Sequence, residues 1–136
     1  MGRPRRPRTA AASRARSGAP RRKASLRPRL KLWVVFGDDV KFGDGRARLL
    51  ELVDELGSLK QAVARFGMSY RSVWGYFREL EAAAGFAFLE RHPGGGPAGG
   101  TRLTGEGRRF LQEYRRFRRG LDELVNRHFD RSFRGR

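Results

Sequence analysis

The 136-residue sequence contains no cysteine, which excludes disulfides, thiolate zinc sites and iron–sulfur clusters. Only two histidines occur, His92 and His128. They are too few and too far apart to anchor a histidine metal centre, so neither a metal nor another cofactor is expected. No apolar run approaches the length of a bilayer span, and no membrane partner is expected. Acidic residues are also scarce. Fourteen Asp and Glu face 31 Lys and Arg, a formal net charge of +17. That excess points to a polyanionic partner. No nucleophile with a partnered base is visible, and Glu79, Glu81 and Glu90 suit salt bridges and helix faces better than an acid/base pair. The sequence therefore reads as a binding protein and not as an enzyme. Its length fits one domain of ordinary size plus an extension.

The charge is unevenly spread. Residues 1–28 hold ten basic residues (Arg3, Arg5, Arg6, Arg8, Arg14, Arg16, Arg21, Arg22, Lys23 and Arg27) and no acid. Leu26 is their only large aliphatic residue beyond Met1. Such a segment buries too little surface to offset its ordering entropy, so a disordered basic tail is expected over 1–28. As an arm attracted to phosphates it adds salt-sensitive, sequence-blind affinity. It has no apolar region of a secretory signal. An Arg-rich, acid-poor start also fits a transit peptide, but Pro4, Pro7 and Pro20 oppose the amphipathic helix such peptides form.

From Leu30 to Phe36 the sequence LKLWVVF predicts a strand, Gly37-Asp38-Asp39 a turn, and Val40-Lys41-Phe42 the returning arm of a hairpin. Gly43-Asp44-Gly45 breaks the pattern, and from Arg46 the apolar period becomes helical, with Leu49, Leu52, Val53 and Leu56 on one face and Gly57 at the end. Ser58 and Gln61 form a capping box for a short second helix whose buried stripe is Leu59, Ala62, Val63 and Phe66. Gly67 ends it, Met68 fills the corner, and Ser69 caps a third helix running to about Ala84, where Gly85 stops it. Phe86–Arg91 and Gly100–Leu103 flank a Gly- and Pro-rich stretch and predict a second hairpin. Thr104 then caps a long final helix. Two capped helices joined at a Gly-containing corner make a helix-turn-helix, and the Gly-rich hairpin makes it winged. The expected fold is mainly α with small β: a winged helix-turn-helix over 29–103, preceded within that span by a β-hairpin and followed by a long C-terminal helix, 104–136.

On the third helix, advancing about 100° per residue from Val73 brings Tyr76, Phe77, Leu80 and Ala84 within about 60° of it as a core stripe. Arg71, Trp74, Gly75 and Arg78 fall on the other side, with Tyr70 on the border. The N-terminal half of such a helix enters the major groove of double-stranded DNA. Arg71 then suits a bidentate contact to guanine, and Arg78, two turns on, a phosphate. Trp74 suits either DNA contact or partial burial against the wing. Gly75 costs the helix about 1 kcal/mol relative to Ala, which close approach of DNA would explain. Ser58, Lys60, Ser69 and Ser72 lie at helix starts, where backbone N–H groups attract phosphate beside their capping roles. Arg91 and Arg102 flank the wing, 92–100, and suit the minor groove or the flanking backbone.

On the final helix Phe110, Tyr114, Phe117, Leu121, Leu124 and His128 are spaced like a heptad seam. Part of this stripe is expected to pack near Trp33 or Leu50. The part from Leu121 onward is the candidate homodimer contact, against which Gly120 argues as a break in the helix.

The segment GSLKQAVARFGMSYRSVWGYFRELEAAAGFAFLER, followed by a Gly-rich gap and RLTGEG, resembles the winged-helix DNA-binding domain of LysR-type regulators. It is most similar to the molybdenum-dependent ModE branch, GMSYRSVW (Gly67 to Trp74) being the most specific part. The resemblance covers roughly residues 28–118. It implies a dimeric, cytoplasmic, nucleoid-associated transcription regulator of bacteria, with the helix beginning at Ser69 reading the operator. These 136 residues hold no counterpart of the molybdate-binding domains of that branch, so molybdate sensing is not implied. Two functions stay open: a sequence-specific regulator, and an architectural, largely non-specific DNA binder dominated by its basic tail and wing.

Overall fold

A computed structural model describes residues 24–93 and 100–135. Most of the basic tail and the tip of the expected wing lie outside the described residues. Two short antiparallel hairpins bracket three helices, and a long helix follows. Strands β1 (Trp33–Phe36) and β2 (Val40–Gly43) precede helices α1 (Asp44–Leu56), α2 (Leu59–Phe66) and α3 (Tyr70–Ala84). Strands β3 (Leu89–His92) and β4 (Gly100–Leu103) lead to α4 (Gly105–Ser132). This is the winged helix-turn-helix order. No helix among the described residues is long and apolar enough to cross a membrane.

The helix starts follow from side-chain oxygens that accept otherwise unpaired backbone N–H groups. Ser58 Oγ accepts from Gln61 N and Ser69 Oγ from Ser72 N, each at 3.1 Å, and Thr104 Oγ1 accepts from Gly107 N at 2.9 Å. The expected box at Ser58 is only half made, since the Gln61 side chain does not return to the Ser58 N–H. At the corner of the helix-turn-helix, Gly67 takes φ 67°, which turns its N–H back onto the Val63 and Ala64 carbonyls. Gly100, at φ 107°, does a different job: a Cβ there would run into the Gly57 carbonyl. The same carbonyl accepts from Thr101 N at 3.1 Å, docking the second hairpin on the α1–α2 turn.

Three boundaries differ from the sequence expectation, each for a long-range reason. The first strand begins at Trp33 and not at Leu30, because β2 ends opposite Trp33 at Gly43 and leaves 30–32 without a partner strand, while the Leu30 carbonyl accepts from Arg118 Nη2 at 2.6 Å. Helix α1 begins at Asp44 and includes Gly45. An acid in its first turn suits the helix dipole, and Tyr114 and Arg118 hold that acid's side chain. Strand β3 begins at Leu89 and not at Phe86, because Glu81 Oε2 accepts from Phe88 N at 2.7 Å and Leu89 N at 3.2 Å and fixes a turn there.

The core joins Leu49, Leu50 and Val53 of α1, Leu59 and Val63 of α2, and Val73, Phe77 and Leu80 of α3 to Phe42, Phe88, Leu103, Leu111 and Tyr114. The aromatic stripe of α4 lands on the first hairpin. Phe110 packs 5.2 Å from Phe36, 4.9 Å from Phe42 and 5.4 Å from Phe88 between ring centres, and Tyr114 lies 5.2 Å from Phe42. Trp33 is not the docking point. It is half exposed, with Lys41 Nζ 5.0 Å from its ring centre. Helix α4 continues through Gly120, and its 28 residues span roughly 42 Å at 1.5 Å per residue.

Charge pairs fix α4 to α1. Arg108 donates to both carboxylate oxygens of Asp54 at 2.6 and 2.9 Å. Arg115 Nε donates to Glu51 at 2.7 Å, and Tyr114 Oη to Asp44 at 2.6 Å beside Arg118. Burial pushes the Asp44 carboxyl up, but its bonds from Tyr114 and Arg118 outweigh this and leave it below its ordinary value of 3.8. The Arg115 hydrogen bond lowers Glu51 from 4.5, against the upward push of burial. Carboxylates lowered in the folded state contribute stability that is present above their unfolded values and lost as pH falls through the folded ones. Thermal melts followed by circular dichroism should therefore hold steady from neutral pH to about 5 and fall below about 4. A melting temperature unchanged in strong acid would contradict a structural role for this ladder.

Candidate nucleic-acid interface

Helix α3 buries Val73, Phe77 and Leu80 and leaves Arg71, Ser72, Gly75 and Arg78 exposed. The helical period dictates this division, since residues three, four and seven apart share a face. Tyr76 is pinned at the rim. Its hydroxyl donates to the Lys41 carbonyl at 2.6 Å, and the Arg46 guanidinium lies 4.3 Å from its ring centre. Burial pushes the Tyr76 phenol up to about 12, so it stays a neutral donor in any ordinary medium.

Tyr70, Arg71, Trp74 and Arg78 of α3 and Arg91 of β3 line one hollow of about 500 Å³. Three guanidinium groups meet there, and no carboxylate is among the lining residues. Arg71 and Arg78 have no hydrogen-bond or ion-pair partner among the described residues, so their donors are free for an incoming acceptor. Arg91 is exposed but engaged: its Nη2 donates to the Tyr70 hydroxyl at 3.1 Å, and its Cζ sits 4.9 Å from the Trp74 ring centre. Trp74 is half buried, packed against the core, with Arg91 of β3 over its ring. Its Nε1 is buried without a hydrogen-bond partner.

The other candidate residues do not line this hollow, and Arg102, paired with Glu90, lies on the opposite face of the hairpin from Arg91, which is paired with Thr101. Ser69 and Ser72 sit at the start of α3, joined by the capping bond. Gly75 is exposed, with open space where a Cβ would stand. Ser58 caps α2 and Lys60 is exposed in its first turn. Arg102 is exposed on β4, in register with Glu90 of β3. Of the acids near this surface, Glu90 pairs with His92 at 3.0 Å and Glu81 holds the α3–β3 turn. Sequence reasoning missed the joining of Arg91 to Tyr70 and Trp74. They are 21 and 17 residues apart, and no local pattern records a cation resting on a ring of another element.

The sequence that builds this surface matches a known family. Residues 45–108, from the first turn of α1 to the first turn of α4, match the family of bacterial regulatory helix-turn-helix proteins of the lysR type. Residues 45–108 are a LysR-type helix-turn-helix domain. Among curated relatives, the transcriptional regulator ModE of Haemophilus influenzae is 38% identical over 69 residues, 51% of this chain and 27% of that protein. The molybdenum transport protein ModE of Azotobacter vinelandii is 34% identical over 88 residues, 62% of this chain and 33% of that one. The chain thus spans about a third or less of the length of these relatives. Among solved structures, a complex of the CbnR DNA-binding domain with DNA is 31% identical at a TM-score of 0.45, covering 65% of this chain and 91% of that chain. Every residue lining the hollow falls inside the LysR-type domain.

Proposed function

We propose that this protein is a sequence-specific DNA-binding transcription regulator whose helix α3 enters the major groove while the β3–β4 hairpin lies on the flanking backbone or minor groove. The observation that carries the reading is the hollow with no carboxylate among its lining residues, where Arg71 and Arg78 stand without a partner among the described residues on the exposed side of the second helix of a LysR-type helix-turn-helix. Guanidinium groups without internal partners present forked donors that match both guanine edges and phosphates. Ser58, Lys60, Ser69, Ser72, Gly75, Arg91 and Arg102 belong to the same proposed surface, with Tyr70 and Trp74 behind Arg91. The distal half of α4 is the proposed homodimer contact. Beyond Tyr114 it carries no buried residue, and Leu124 is 53% exposed. On this reading the protein works in the bacterial cytoplasm, on the nucleoid.

The net charge of +17, with ten basic residues in the first 28, favours a second reading as an architectural binder of any DNA. One titration separates the two. DNA fragments enriched by repeated selection, and random fragments, are each titrated with the protein at physiological salt. A regulator should prefer the enriched fragments by about 10³ or more. Near-equal affinities would favour the architectural reading.

A further inference from the structure

Trp74 is an odd choice for its place in the fold. Its indole N–H is shut away from water with no acceptor, the only such side-chain atom among the described residues. A buried donor without a partner is destabilising, and a phenylalanine or leucine would fill comparable space without one. What the indole offers instead is the strongest cation-binding face of any side chain. That face is occupied. Arg91 Cζ lies 4.9 Å from its centre, within the range of a cation–π contact. Tyr70 completes the arrangement, its ring edge-on to Trp74 at 6.3 Å and its hydroxyl accepting from Arg91 Nη2.

We infer that Tyr70 and Trp74 are positioning residues for Arg91, holding its guanidinium in the free protein at the place where it meets a DNA phosphate beside the groove. This rests on the proposed DNA-binding function and deepens it. The backbone of β3 needs no such help. It is paired residue by residue with β4, which the Thr101 bond to Gly57 anchors. The long side chain of Arg91 is another matter, because an unrestrained arginine loses its rotamer freedom on meeting a phosphate. One ring face and one hydroxyl take up that loss before DNA arrives, leaving the remaining N–H donors outward. Arg71 and Arg78, which lack such partners among the described residues, are ordered by the DNA itself.

The test is a double-substitution cycle, read as affinity for a mixed-sequence DNA duplex, since a phosphate contact is blind to sequence. Arg91→Ala should weaken binding and lower the salt slope by about 0.9. Trp74→Leu and Tyr70→Phe should each weaken binding roughly two- to tenfold when Arg91 is present. In the Arg91→Ala background they should change nothing further. Tyr70→Phe keeps every ring in place, so the cycle survives if Trp74→Leu fails to fold. Equal losses with and without Arg91 would show that the rings act on the fold or touch DNA themselves, and would overturn the inference. An unchanged salt slope in Arg91→Ala would overturn it too, while leaving DNA binding intact. Failure of the unsubstituted protein to bind any duplex would instead sink the proposed function, and the inference with it.

Discussion

Replacing Phe88 by alanine should destabilise the domain by about 3–5 kcal/mol, the usual cost of emptying an aromatic site in a core. Phe88 is completely buried, and its ring lies 6.4 Å from Phe36, Phe42 and Phe77, 4.7 Å from Phe86 and 5.4 Å from Phe110. It therefore joins the first hairpin, α3, the turn into β3, and α4. Closing of the gap is limited, because Phe42 also packs on Tyr114, Phe110 on Phe36 and Phe42, and Phe77 on Tyr76, while the backbone of residue 88 is held by Glu81 and Thr104. Domains of this size have only about 5–15 kcal/mol in total. The melting temperature should drop by well over ten degrees, since each kcal/mol is worth about 4–8 °C. Urea unfolding followed by circular dichroism measures the loss. A cost below about 1 kcal/mol would show that Phe88 does not hold these elements together.

The contrast between Phe88 and the helix ends shows what could be read from sequence. Ser58, Ser69 and Thr104 each cap the helix that follows, because a cap is a local transaction between an oxygen and an N–H three residues on. The turns at Gly57, Gly67 and Gly85 were legible for the same reason. The inward stripe Val73, Phe77 and Leu80 followed from period alone. Phe88, by contrast, sits in a short stretch, GFAFLER, whose sequence reads as strand. Only the reach of Glu81 across the turn makes it a corner. The docking of α4 was out of reach too. Its apolar stripe offered several registers, and Phe36 and Phe42 won over Trp33 because Tyr114 Oη and Arg118 find Asp44 in the same alignment. The same holds for the candidate interface: the exposed arginines of α3 came from its period, whereas the Arg91–Trp74–Tyr70 arrangement depends on two elements meeting.

The second large effect concerns recognition. Arg71→Ala should erode preference for enriched over random fragments by about 1–3 kcal/mol, roughly 5- to 150-fold, with little change in affinity for random DNA. Arg71 lies in the first turn of α3, unpaired among the described residues, where a forked donor reaches base edges. Arg78→Ala should behave differently. Seven residues on, it leaves the groove floor, so its loss should weaken all DNA alike and lower the salt slope by about 0.9. Paired titrations of both variants at several salt concentrations distinguish the two behaviours. A uniform loss in Arg71→Ala would make it a phosphate contact and move base reading elsewhere on the helix.

On this reading the arginine-bearing side of α3 is the surface that meets DNA. The most direct test is a nuclear magnetic resonance titration of isotope-labelled protein with an enriched duplex. The amides of residues 69–78, the indole N–H of Trp74 and the side chain of Arg91 should shift or broaden first, with the α1–α4 ladder around Glu51 and Arg115 unmoved. Changes concentrated on that ladder, with α3 silent, would contradict the claim.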